Sequence, residues 1–204
     1  MNFMSTKHFL FFAIIFWMNQ ANGQTFQAGL VAGFNMTQVD GDDLGGYNRI
    51  GVVAGGRADA RLADKWKLSF EILFSQMGSD RSKYDFGSDY DNIRMNGVEV
   101  PVSLIFRDWL VDDGDDSFYR IEFAAGFSYY RLMNFKVEAF TGEDVSDFKD
   151  YNPNSFLVNL GATWFINPKF GIHAHWAKAL NDLDNAPEEV LLARNISVKG
   201  IYIF

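Results

Sequence analysis

The feature that most constrains this chain is a period-two alternation of apolar and polar residues, repeated eight times. In "WKLSFEILFS", Trp66, Leu68, Phe70, Ile72 and Phe74 oppose Lys67, Ser69, Glu71 and Ser75. "VEVPVSLIFR" sets Val98, Val100, Val102, Leu104 and Phe106 against Glu99, Ser103 and Arg107. "YRIEFAAGFSYY" sets Tyr119, Ile121, Phe123, Phe127 and Tyr129 against Arg120, Glu122 and Ser128. Similar runs start near Phe26, Ile50, Ser155, Phe170 and Asn195, the last blurred by Ile201 and Ile203. This period belongs to strands whose two faces meet different surroundings.

Eight is an even number, and the joining segments sort by length. "ADK" (63–65) and "NPK" (167–169) are tight turns, and "RDWLVDDGDDS" is a longer polar connection. The segments 39–48, 80–92, 134–154 and 182–191 are longer or more acidic. Short turns at one end and long loops at the other predict an all-β fold, an eight-stranded antiparallel up-and-down transmembrane β-barrel.

Charge decides which face points out. Ten charged residues share the polar face: Arg57, Asp59, Arg61, Lys67, Glu71, Glu99, Arg107, Arg120, Glu122 and Lys199. Were that face outside, the opposite one would have to fit within the barrel. It carries Phe26, Phe34, Trp66, Phe70, Phe74, Phe106, Phe123, Phe127, Phe156, Trp164 and Trp176. Eight strands leave an interior just wide enough for side chains to fill, and so many rings would overpack it. Facing lipid, they fit. The ten charges then line the lumen, six basic and four acidic, and must pair there. They are expected to act as a mutually neutralising plug, with a charge-lined narrow channel as the alternative.

Both chain ends agree with this placement. Residues 1–23, "MNFMSTKHFLFFAIIFWMNQANG", carry Lys7, a short apolar run and the small-x-small triplet Ala21–Gly23. That is the layout of a secretory signal peptide, leaving a barrel domain over 24–204. Losing Lys7 moves the formal charge from -8 to -9. That sign excludes a nucleic-acid partner, which needs a basic face. At the other end "NISVKGIYIF" stops on an aromatic residue. On the last strand Phe204 falls at the membrane interface, where aromatic rings are favoured. Tyr202 and Phe204 resemble the C-terminal signal read by barrel assembly machinery, with Gly200 displaced by one position from the usual pattern.

Few residues invite chemistry. There is no cysteine, so disulfides and thiolates are excluded. His173 and His175 share one strand face and could hold a metal if Glu71, Glu99 or Glu122 joined them; the plainer expectation is two members of the lumen network, with no cofactor. "DGDDLGG" (40–46) offers carboxylates but lacks the full calcium loop. Some small barrels are lipid-modifying enzymes with a serine, a histidine and an acid at the rim. No G-x-S-x-G elbow occurs, and no enzyme is expected.

The segments "QAGLVAGFN", "DGDDLGGYNRIGVVAGG", "DKWKLSFEILFSQMGS", "VEVPVSLIF" and "FGIHAHWAKALNDL" resemble the PorT-like outer-membrane β-barrel (porin) family of Bacteroidetes, across nearly all of 24–204. The resemblance implies an outer-membrane location and supplies no catalytic residues. A structural or interaction role is expected, or assistance to secretion or transport, in contact with outer-membrane lipid. Phe135, Phe140, Phe148 and Tyr151 of the 134–154 segment are candidate anchors for a protein partner.

Closed barrels often keep their fold in SDS until heated, because every backbone group is paired around the ring. Outer-membrane fractions run unboiled and boiled are expected to show a mobility shift for this protein. A soluble periplasmic protein with no shift would point to a soluble barrel with the aromatic face inside.

Overall fold

The computed structural model describes residues 26–83, 85, 90–113, 116–146, 151–183 and 190–204. The expected signal peptide over 1–23 and the candidate anchor Phe148 lie outside them. Eight strands follow in chain order: β1 (Phe26–Asp40), β2 (Arg49–Ala63), β3 (Trp66–Asp80), β4 (Tyr90–Asp113), β5 (Asp116–Ala139), β6 (Asn154–Phe165), β7 (Phe170–Ala179) and β8 (Leu192–Ile203). Each pairs antiparallel with the next, and β8 returns to β1 from Gly29↔Ile203 to Asp40↔Leu192. The ring has no free edge, which is the condition for a sheet to cross lipid.

The outward residues form an apolar belt. Phe34, Ile50, Phe70, Ile72, Phe74, Leu104, Phe123, Phe127, Phe156, Leu160 and Ile172 are all exposed. Between them, inward residues are buried, as the burial of β3 from Trp66 to Ser75 shows by strict alternation. Aromatic residues gather at the short-turn rim. Trp109 and Trp164 meet edge to face at 5.5 Å, and Tyr202 and Phe204 at 5.8 Å.

The inward face is not polar throughout. At the long-loop end Val39, Met77, Ile93, Met95, Tyr130, Leu157, Ala177 and Ala193 form an apolar cluster joined by Leu183 and Leu191 from the loop before β8. A second cluster joins Val31, Val53, Leu73, Phe165, Ile201 and Ile203. Ile201 and Ile203 therefore blur the sequence alternation because they face inward. At the loop end polar residues join the outward face of β4 and β5, where Arg94 and Arg131 are exposed, and the inside is packed with apolar side chains.

Two sequence-based boundaries shift for identifiable reasons. "RDWLVDDGDDS" is a hairpin: β4 and β5 stay paired down to Asp113↔Asp116. Its acidic composition reads as loop, yet the strands there project beyond the belt into water. At the other end β5 continues through Ala139, past the expected boundary at Asn134. The register steps from Gly97↔Leu132 to Asn96↔Asn134, leaving Met133 as an extra residue. Such a bulge changes which parity faces in. Tyr130 is buried below it, whereas Val137 is buried above it.

Candidate functional site

The centre of the lumen holds a buried ion cluster. Arg57 Nε and Nη2 donate to Asp59 at 2.8 and 3.1 Å, and Nη1 to Glu71 at 3.3 Å. Its Nη2 also lies 3.6 Å from Glu122. Lys67 Nζ reaches Glu122 at 2.6 Å and Asp59 at 3.0 Å. Lys199 Nζ sits 3.4 Å from Glu71. Three cations thus meet three carboxylates, none of whose side chains is more than 7% exposed. The partners come from β2, β3, β5 and β8, so the cluster ties facing walls together. Glu99 lies buried beside it, with Oε1 unpartnered.

Neutral groups fill the space above. Asn35 donates to Ser75 at 2.9 Å and accepts from Ser197 at 2.7 Å. Asn159 donates to Ser128 at 3.0 Å and accepts from Ser103 at 3.1 Å. The void between Arg57, Glu71, Pro101, His173 and Lys199 measures about 10 Å³, room for roughly one water. Glycine makes this crowding possible at two points. A Cβ on Gly161 would lie 2.6 Å from His173 Cε1, and one on Gly33 only 2.1 Å from the Val198 carbonyl.

His173 and His175 are both buried, their rings stacked at 5.7 Å. His173 Nδ1 pairs with the Thr163 hydroxyl at 2.8 Å. No group of three or more His, Cys, Asp or Glu able to hold a metal occurs among the described residues. Of the carboxylates that could have joined them, Glu71 and Glu122 are bound to lysine and arginine instead.

Three of the ten charges are not buried in the lumen. Arg61 is 51% exposed and pairs with Asp64 at 2.5 Å; it sits at the rim, where the barrel meets water. Arg107 is half-buried, donates to the Asp64 carbonyl, and stacks on Tyr119 at 4.7 Å. Arg120 rests against the rings of Trp109, Phe118 and Trp164 at 5.8–5.9 Å and makes no ion pair among the described residues. Trp109 occupies the slot opposite it with φ 59°. That left-handed residue breaks the pleat, so alternation does not place its neighbours.

At the opposite end the loops are tied by their own charges. Asp40 receives Arg194 at 3.0 Å and Lys178 at 3.9 Å, and Asp85 accepts from the Gly45 amide at 3.1 Å. Of the candidate partner anchors, Phe135 and Tyr151 stack on each other at 3.7 Å and pack on the inner apolar cluster. Phe135 turns inward because the bulge shifts the parity of β5, and Tyr151, from the segment before β6, packs on it. Phe140 is exposed, with Arg81 over its ring at 4.6 Å.

Removing one member of the central cluster strands its partners in a dry interior. Arg57→Met is expected to cost about 3–5 kcal/mol, read as a lower urea midpoint in lipid vesicles; an unchanged midpoint would contradict the cross-lumen tie. Asp42, in the loop after β1, gives a pH-dependent case. It is buried and accepts from the Leu44 amide at 3.0 Å. Desolvation by burial raises its carboxyl from 3.8 to about 6. The folded loop favours the protonated form, so this contribution is full below 3.8 and lost as pH rises through about 6. The loop should therefore resist proteolysis better at pH 5 than at pH 7.5. Asp42→Asn, which keeps an acceptor for Leu44, should remove that difference.

Comparison with known proteins agrees with this geometry. No curated protein matches the chain. Among solved structures it is similar to Ail, the attachment invasion locus protein of Yersinia pestis: 15% identity and TM-score 0.51, covering 87% of this chain and 98% of that one. Ail in complex with the heparin analogue sucrose octasulfate gives 14% and 0.50, covering 88% and 99%. Neisserial surface protein A gives 12% and 0.49, covering 90% and 100%. These likenesses concern the fold. The family model for the outer membrane protein beta-barrel domain matches residues 18–185; the chain belongs to that family and is an outer-membrane β-barrel.

Proposed function

We propose that this barrel does not conduct and that its role lies at its loop-bearing end, in binding a protein partner. The observation that carries the reading is the balanced ion cluster across the lumen, with a void of about 10 Å³ beside it. An apolar cluster above it, capped by Leu183 and Leu191, adds a second layer. A hydrated ion crossing this interior would have to break buried ion pairs. The narrow-channel and transport-assisting readings are therefore disfavoured.

The loop end is where negative charge accumulates. Segments 40–48, 80–91, 140–153 and 180–191 carry fifteen carboxylates and three cations. Charge of one sign steers a partner of the other. A sulfated polyanion such as the one held by Ail would be repelled here, and a basic protein surface would be drawn in. An enzymatic role finds no support in the histidines, both buried among lumen residues.

The narrower likeness to PorT-like barrels of Bacteroidetes rests on the strand motifs quoted above. Insertion through a signal peptide over 1–23 and barrel assembly machinery belongs to the same reading. Its support is the exposed Tyr202 and Phe204 at the end of the closing strand.

Purified protein in planar bilayers is expected to give no single-channel steps. Steps that vanish in Arg57→Met or change their ion selectivity in Glu71→Gln would overturn the closed-lumen reading.

A further inference from the structure

The short-turn end of the barrel opens into a cavity of about 340 Å³. That is within the size range of small-molecule sites. It lies below the ion cluster, and Lys67 and Glu122 form part of its wall. Arg61 and Arg107 stand at its mouth, while Phe118 and Phe165 supply apolar wall.

Of the wall cations, Arg61 is held by Asp64 at 2.5 Å and Lys67 by Asp59 at 3.0 Å and Glu122 at 2.6 Å, which leaves Arg107. Glu122 is itself taken by Lys67 at 2.6 Å and Arg57 at 3.6 Å. Arg107 has no carboxylate partner among the described residues. Its Nη2 goes to a backbone carbonyl, and Nη1 has no protein acceptor among the described residues. The guanidinium lies over the Tyr119 ring at 4.7 Å, and an anion in the cavity would give Nη1 the charge-assisted acceptor that the wall does not supply. The rings of Phe118 and Phe165 add apolar surface, so a bare inorganic anion would leave part of the wall unmatched.

We infer that this cavity is a binding site for a small amphipathic monoanion, a carboxylate on an aromatic or branched apolar body, entering from the side of the short turns. Arg107 is the principal anion contact, Arg61 adds charge at the mouth, and Phe118 and Phe165 hold the apolar part. The site is separate from the loop-end reading and stands whether or not the barrel binds a protein partner.

The test is isothermal titration calorimetry on the full barrel in phosphatidylcholine nanodiscs, with phenylacetate as probe. Phenylacetate is expected to bind one per chain. Its neutral analogue phenylacetamide, and acetate, which lacks the ring, should each bind at least about tenfold more weakly, the scale of one charge-assisted hydrogen bond or one buried ring. Arg107→Gln should weaken phenylacetate by about tenfold or more while keeping the heat-dependent mobility shift. If that variant loses the shift, Arg61→Gln, at an exposed rim position, takes its place and should weaken phenylacetate by about threefold or more, as loss of a charge at a wetted rim does. Equal binding of phenylacetate and phenylacetamide would overturn the anion site. Acetate binding as tightly as phenylacetate would overturn the amphipathic class. Unchanged affinity in a folded arginine variant would overturn the residue assignment.

Discussion

The interior of this barrel depends on Arg57. Its guanidinium meets carboxylates from three strands, Asp59 on β2, Glu71 on β3 and Glu122 on β5. Lys67 and Lys199 then close the pattern from β3 and β8. Backbone hydrogen bonds close the ring along its circumference, but they do not say what fills it. A lumen of eight strands is too narrow for bulk water and too polar for an oily core. Charges placed there must satisfy one another, because an unpaired buried ion costs several kcal/mol. The cluster does so with three of each sign and ties facing walls together, and Glu99, a fourth buried carboxylate, stands beside it with no ion pair among the described residues.

The second organising fact is that the wall changes character along its own length. In the belt the outside is apolar and the inside holds the ion cluster beside the apolar group around Leu73. At the loop end the inside is apolar, with Met77, Met95 and Leu157 in contact around Tyr130, and polar residues such as Arg94 and Arg131 join the outer face. The cause is the solvent outside. Where lipid surrounds the wall, apolar side chains are free to leave the interior. Where water does, the hydrophobic effect sends them back in. One strand serves both regimes by changing parity at a bulge, as β5 does at Met133.

Period two was enough to read the strand number, the antiparallel order and the outward face from the sequence, because lipid imposes that period on every strand it touches. It failed where lipid ends. The acidic hairpin at 112–116 looked like loop, since strands standing in water need no apolar face. Phe135 looked like an exposed anchor because the bulge hides its inward parity, and Tyr151 because the sequence does not show that its segment folds back onto Phe135. Seven of the ten charges assigned to the lumen are buried there. Arg61, Arg107 and Arg120 are not, and all three lie near the rim, where alternation stops deciding orientation. The inward Ile201 and Ile203 were ambiguous for a related reason: both faces of β8 are apolar near its end. Nothing in the period could have signalled the φ of Trp109.

Charge is distributed unevenly along the axis, and this bears on where function can reside. The loop segments hold most of the carboxylates, while Arg61 and Arg107 stand at the short-turn mouth. Arginine suits that mouth: its planar fork can bind one acceptor, stack on a ring and stay charged at any accessible pH, as Arg107 does against Asp64 and Tyr119. The balanced cluster between the two ends separates them sterically and electrically. A solute bound at the mouth has no open route to the loops, and a partner held at the loops has no contact with the mouth. The two ends therefore act as independent surfaces joined by a rigid neutral core, and changes that disturb one should leave the other intact so long as Arg57 keeps its carboxylates.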